Sequence, residues 1–402
     1  MELIYDSYYN QERENCKTDI KSVRETMTGK VLFWQWNSFM RKGVEKAFHN
    51  LEVKYDIYYK IIEDWEQDDE FAEQIETKLR GNEYHIVFSI NFCPIIARVC
   101  ENIKVPYVAW VYDSPMHIRD LDAMKLSYTT VWIFDRGIVE YYNAQGYGCR
   151  HLPLAVSPQI FDEYCNKNHD RKKISFVGKL YQTDYAKYIS FLSEYQKGYL
   201  NALLAAQGKL YGAYLLEEML TERFMEQINQ QFQESSDGKI QIGKKEMEFM
   251  LACETTARER EALLRLLASH YEVDIYSDDR QVIKQARMHG YIDYDTKMPQ
   301  VFANSCINLN ISLKAIRTGI PLRVIDIMGC GGFMLSNYQE EIMEYMHPGI
   351  DCEVYESLED AYYKTEFYLK NDELRQKIAQ NGLELVKRDF TFEDRKKTLL
   401  NI

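Results

Sequence analysis

The 402-residue sequence predicts an α/β protein of two Rossmann-like domains, the second carrying a helical insert. Three observations lead there. Short β-rich runs alternate with helix-like stretches from Lys30 onward, the pattern of a parallel sheet covered by helices on both faces. The alternation breaks near Ser157-Pro158 and restarts at Lys173. A long Leu-, Ala-, Gln-, Glu- and Met-rich tract then separates the first two strands of the second series. At roughly 150 residues per domain, the length fits two to three domains.

The first series opens with Lys30–Trp36 (KVLFWQW), an apolar run that reads as a buried strand, followed by an amphipathic stretch from Phe39 to Phe48. Val53–Tyr59, His85–Asn91, Pro106–Asp113 and Thr130–Arg136 are its further strands. The second series comprises Lys173–Lys179, Glu272–Ser277, Cys306–Ser312, Gly332–Asn337 and Cys352–Glu356. Its insert, about residues 183–269, includes AYLLEEMLTERFMEQI, with the three-to-four spacing of an amphipathic helix, and a polar loop over Glu234–Lys245. Such an insert suits a cap, a partner surface or a cover for the sheet. Ser357, three residues before Asp360, starts a helical C-terminal part in a loose capping-box arrangement, and a last helix follows Asp389. The expected divisions are an extension at 1–29, domains at 30–158 and 172–388, and a C-terminal helix at 389–402.

Composition narrows the function classes. Hydrophobic residues form 46% and charged residues 28%, enough for large cores without disulfides or structural metal. The net charge of −13 argues against nucleic acid or anionic membrane as a partner. Nine scattered cysteines without a C-x-x-C pair give no zinc or dithiol motif and fit a reducing cytoplasm. Met1–Asp19 has no signal-peptide core, and no run of about 18 apolar residues is present to span a membrane. The 31 tyrosines fit a sugar-handling surface and, more simply, bulky core packing.

Ligands of doubly wound sheets bind beyond the carboxyl ends of the strands, often at helix N-termini. Gly178-Lys179 ends a strand: the glycine allows close approach by a diphosphate and the lysine adds charge, although a simple strand-to-loop bend also uses glycine there. After Cys306–Ser312, the segment opening at Arg317 leads to Pro321 as first helical residue, Leu322–Met328 as helix and Gly329 as stop. Arg323 and Asp326 share one face of that helix, an arrangement suited to phosphate and ribose or to a plain ion pair. In the first domain, Asp113 ends an apolar strand with His117 close behind. Either is placed to take a proton from a sugar hydroxyl; Asp113 equally suits a cap for the Ser114-Pro115 turn. Asp293-Tyr294-Asp295 has the D-x-D form of some metal–nucleotide sites but is expected to be a loop.

The stretch GIPLRVIDIMGCGGFMLSNYQEEI (Gly319–Ile342), together with VYDSP, VWIFDR, HLPLAVSP, ISFVGKLY and GYIDYDTKMPQVFANSCINLNISLKAIRTGIPLR, resembles the glycosyltransferases related to the spore maturation protein B family. The resemblance runs from about residue 30 to the C-terminus. It implies a GT-B fold, two Rossmann-like domains facing a cleft, with donor on the second and acceptor mostly on the first. It implies a nucleotide-sugar donor, a UDP-sugar first, with a protein or glycan acceptor and no bound metal or other cofactor. By the same resemblance Gly178, Lys179 and Arg323 meet the diphosphate, Tyr291 and Ile292 border the base, Asp326 holds the ribose, and Arg317 belongs to the donor segment. Retaining GT-B enzymes often pair two acids eight residues apart; here Asp326 holds the second place and Thr318 the first. That departure weakens the retaining reading and makes an inverting mechanism, with Asp113 or His117 as base, a hypothesis beside it. A non-hydrolysing nucleotide-sugar epimerase and a non-catalytic nucleotide-sugar-binding protein with a partner on the insert are the alternatives.

Overall fold

The computed structural model describes residues 29–38, 40–165, 172–236, 238 and 240–400. The expected extension at 1–29 lies, except for Gly29, outside the described residues, as do Cys16 and Phe39. The first domain holds β1 (Lys30–Gln35), β2 (Tyr55–Tyr59), β3 (Tyr84–Ile90), β4 (Tyr107–Val111), β5 (Thr129–Ile133) and β6 (Arg150–His151). They form one parallel sheet in the order β2-β1-β3-β4-β5-β6. The second holds β7 (Lys172–Val177), β8 (Val273–Tyr276), β9 (Arg287–His289), β10 (Ser305–Asn310), β11 (Met334–Asn337) and β12 (Glu353–Tyr355), ordered β12-β11-β10-β7-β8-β9. The fold class is the predicted one.

The central strands read as unbroken apolar runs because helices cover both faces: Val31, Leu32, Phe33 and Trp34 are all fully buried. The short edge strands β6 and β9 escaped the sequence reading, since RH and RMH carry no apolar run. Sheet interiors in the second domain also hold polar groups, each paired across strands. Ser175 Oγ bonds Asn308 Oδ1 at 2.7 Å, and Asn310 Nδ2 donates to Ser336 Oγ at 2.8 Å. These bonds fix the register of β7, β10 and β11 at the place where the sheet reverses its winding.

Five helices separate β7 from β8: Tyr185–Ser190, Glu194–Lys209, Leu216–Met219, Glu222–Ser235 and Lys244–Ala268. They share a core of Leu200, Leu204, Phe224, Ile228, Phe232 and Leu251. The last of them continues into the sheet, where Leu263, Leu264 and Leu267 join the core over β7 and β8. Pro321 is the N-cap of the helix Leu322–Gly329 rather than its first residue, and Gly329 stays within it. The left-handed residue that ends the segment is Gly331, with φ of 68°. Among the described residues no helix is long and apolar enough to cross a membrane.

The domains meet in a dense seam. Phe392, on the C-terminal helix Phe392–Leu400, packs edge-on against Trp110 of β4 at 6.0 Å. The Lys396 ammonium on the same helix donates to the Val44 carbonyl. Beyond β5, the buried Asp135 carboxylate accepts the amides of Arg317 at 2.7 Å and Thr318 at 3.1 Å. Fully buried Glu341 accepts the Arg136 amide at 2.9 Å and meets His151 Nε2 at 2.8 Å. The Thr318 hydroxyl lies between both carboxylates and accepts the Gly137 amide at 2.9 Å.

Gly319 is the point of closest approach: a Cβ there would lie 2.8 Å from Asp135 Cα, a backbone atom that cannot swing aside. Gly319→Ala is expected to lower unfolding stability by about 1–3 kcal/mol through overpacking. Gly198→Ala, in open space on the exposed side of Glu194–Lys209, is expected to raise it by about 0.5–1 kcal/mol. Chemical denaturation of the two variants beside the wild type checks both signs.

Candidate functional site

In each sheet the winding reverses between two neighbouring strands, β1 and β3 in the first and β7 and β10 in the second. Crossovers depart in opposite directions there and leave a crevice at the carboxyl ends. Each crevice holds a cavity.

The second-domain cavity, about 300 Å³, is framed by Gly178 and Lys179 after β7 and by Ser312 and Leu313 after β10. Pro321, Leu322 and Arg323 close one side, and Tyr112, Asp113 and Ser114 reach in from the first domain. The amides of Leu322 and Arg323 begin a helix and have no intrahelical acceptor, so they present partial positive charge to the cavity. The exposed Lys179 ammonium has no carboxylate within ion-pair distance among the described residues. Gly178, Lys179 and Arg323 are thus brought together around one space suited to an anion.

Three donor assignments are placed elsewhere. Asp326 lies fully buried beneath that helix, where Tyr294 Oη donates to its Oδ1 at 2.6 Å and Arg323 to its Oδ2 at 3.1 Å. With both oxygens engaged and no exposure, it does not reach a ribose; the ion-pair alternative describes it. The Arg317 guanidinium pairs with Glu217 of the insert, approaches Glu248 at 3.9 Å and packs over the Tyr141 ring at 4.6 Å. It ties insert to domain seam and does not line the cavity. Tyr291, 76% exposed, and Ile292 follow β9 and also stand outside the lining. In the D-x-D stretch, Asp293 accepts from the Thr296 amide at 2.8 Å and Asp295 pairs with Lys42 at 2.6 Å. Among the described residues no three His, Cys, Asp or Glu side chains cluster as metal ligands.

The first-domain cavity, about 560 Å³, is lined by Trp36, Trp65, Glu63, Asn91, Asp113 and His117 among others. Asp113 therefore borders both cavities. Its carboxylate accepts from Asn91 Nδ2 at 2.6 Å, while Asn91 Oδ1 takes the amides of Tyr112 at 2.8 Å and Asp113 at 3.3 Å. Asn91 adopts a left-handed φ of 62° to do so, a conformation asparagine tolerates. The carboxylate bond runs to Asn91 and not to the Ser114-Pro115 turn. Solvent reaches Asp113 through the cleft, but the surrounding protein pushes its pKa above the usual carboxylate range. The Asn91 bond and the nearby His117 offset part of that rise. His117 is exposed and sits edge-on to Phe249 of the insert at 4.8 Å.

Sequence reading missed Asn91 and Arg260. Asn91 was legible as the polar end of an apolar strand. Arg260, which lines the second cavity, lies three and four residues before Leu263 and Leu264 on one helical face, so its burial was legible in the spacing.

Two Rossmann-like domains with facing crevices constitute the GT-B fold. Residues 257–401 match the family described as glycosyl transferase-like. No curated protein matches the sequence significantly. Among solved structures, the fold is similar to sucrose-phosphate synthase from Thermosynechococcus elongatus, at 8% identity and a TM-score of 0.55 over 93% of this chain and 98% of that one. It is similar to a glycosyltransferase from Rickettsia africae, at 9% identity and 0.54 over 93% and 99% of the two chains. Anabaena HepE in complex with UDP-glucose shares the fold at 10% identity and 0.50, over 93% and 100%.

Burial raises the Asp326 pKa to about 6, against the pull of Arg323 and Tyr294. A carboxyl raised in the folded state stabilises fully below its unfolded value of 3.8, and that contribution is lost as pH rises through about 6. Unfolding free energy is therefore expected to fall by on the order of 3 kcal/mol across this window, and Asp326→Asn to abolish that component. Denaturant titrations of both proteins between these pH values measure it.

Proposed function

We propose that the protein is a glycosyltransferase that moves a sugar from a nucleotide-sugar donor, a UDP-sugar first among them, to a hydroxyl of a protein or glycan acceptor. The donor diphosphate lies in the second-domain cavity between Lys179 and the Leu322 and Arg323 amides. The acceptor enters the first-domain cavity, where Trp36 and Trp65 offer apolar ring surface and carboxylates offer hydrogen-bond acceptors. The observation that carries the reading is Asp113, which borders both cavities and so stands where acceptor hydroxyl and donor sugar meet. A carboxylate with a raised pKa is the stronger base for that hydroxyl. Inversion at the sugar follows from one-step displacement with Asp113 as base; His117, exposed at the rim, takes an acceptor-contacting role in this reading.

Positive charge on the departing nucleoside diphosphate comes from protein groups in this proposal, with no bound metal required. UDP-glucose in the similarly folded HepE complex supports the donor class, and the Gly319–Ile342 motif supports the spore maturation protein B-like group. Eight described cysteines are free, which fits work in the cytoplasm, where nucleotide sugars are made.

Asp113→Asn is expected to reduce transfer by about 100- to 10,000-fold without weakening UDP binding. Mass-spectrometric product analysis and calorimetry give the two readouts. Parallel loss of binding would remove Asp113 from the base role. The acidic limb of the rate–pH profile is expected above the ordinary carboxylate value, because deprotonated Asp113 is the active form. Asn91→Ala should move that limb further up by removing a bond that favours the charged form.

A further inference from the structure

We infer that Arg260, contributed by the last helix of the insert, binds the diphosphate of the donor; the inference rests on the nucleotide-sugar reading above. Its side chain passes beneath the ends of β7 and β10. Nε donates to the Ile311 carbonyl at 3.0 Å, one terminal nitrogen donates to the same oxygen, and the other donates to the Lys179 carbonyl. Both carbonyls belong to the loops that frame the second-domain cavity, and Arg260 lines that cavity with Lys179.

Arg260 is 8% exposed, and among the described residues no carboxylate comes within ion-pair distance of it. Apart from the exposed Lys179, its basic neighbours differ. Lys314 pairs with Glu259 at 2.9 Å, Arg323 with Asp326 at 3.1 Å, and Arg317 with Glu217. Glu259, adjacent in sequence, pairs directly with Lys314 and accepts from the Tyr211 hydroxyl at 2.9 Å, so its charge reaches Arg260 only from a distance. A buried cation without a counter-ion is unfavourable. Carbonyl dipoles, the rings of Phe176 at 5.3 Å and Tyr181 at 4.8 Å, a bond with Tyr181 and the more distant Glu259 charge compensate part of this. An anion in the cavity supplies the rest. Guanidinium offers five N–H groups in a planar fork, and anchoring to two carbonyls holds the fork still before the ligand arrives. The insert is thereby part of the donor site rather than an appended cap.

The test titrates the full chain with UDP, inorganic pyrophosphate and uridine, comparing wild type with Arg260→Gln and Arg260→Lys. UDP and pyrophosphate affinities are expected to fall about 10- to 100-fold in Arg260→Gln, with uridine changed less than about threefold and the salt dependence of UDP binding shallower. Arg260→Lys, which keeps charge but loses the fork, is expected in between and keeps the test open if Arg260→Gln does not fold. Equal loss for uridine and UDP, or unchanged pyrophosphate affinity in a folded variant, overturns the assignment. Wild type that binds pyrophosphate but no nucleotide, with Arg260→Gln losing it, sustains Arg260 and overturns the nucleotide reading. Wild type that binds none of the three overturns both.

Discussion

The Asp135 carboxylate, buried at the end of β5, takes the backbone amides of Arg317 and Thr318 from the other domain, and the geometry of the cleft hangs on that exchange. Burial raises its pKa, while the amides and the Thr318 hydroxyl pull it back. A carboxylate so placed holds its position because any other leaves a charge without partners. It joins the start of the helix Arg136–Asn143 to the loop before the helix Leu322–Gly329. The two crevices are thereby held at a distance that lets one side chain, Asp113, border both.

The same seam bears on the proposal that the base lies in the first domain. Thr318 stands where the family resemblance would lead one to expect an acid in a retaining enzyme, and its hydroxyl is taken up by Asp135, Glu341 and Gly137. An acid at 318 would add a third carboxylate beside the buried Asp135 and Glu341. Gly319, pressed against Asp135 Cα, keeps the loop from shifting to make room. The sequence departure at Thr318 and the tight seam are one feature seen twice.

Much of the fold was legible because parallel strands buried on both faces write themselves as apolar runs: KVLFWQ, YVAWV and KKISFV need no partner to be recognised. The cavity was legible at Gly178, Lys179, Arg323 and Asp113, since strand ends and helix starts are local features. Asp326 and Arg317 were not. Spacing puts Arg323 and Asp326 on one helical face but does not say whether that face meets cleft or core. Tyr294, thirty-two residues away, decides it by closing over Asp326. Arg317 is claimed by Glu217, 100 residues away, and by Glu248, 69 residues away, on an insert whose packing no local pattern reveals.

Charge pairing then sorts the basic residues around the cleft into two sets. The insert's acids neutralise Lys314 and Arg317, cations that hold helices to the sheet and the seam. Among the described residues, Lys179 and Arg260 have no carboxylate within ion-pair distance, and both line the cavity where the second sheet reverses its winding. Their isolation, set against the close pairing around them, concentrates positive potential in one small cavity. Burial of Arg260 among the described residues without a paired carboxylate costs stability, and in the proposed reading the diphosphate of the donor recovers part of it on binding.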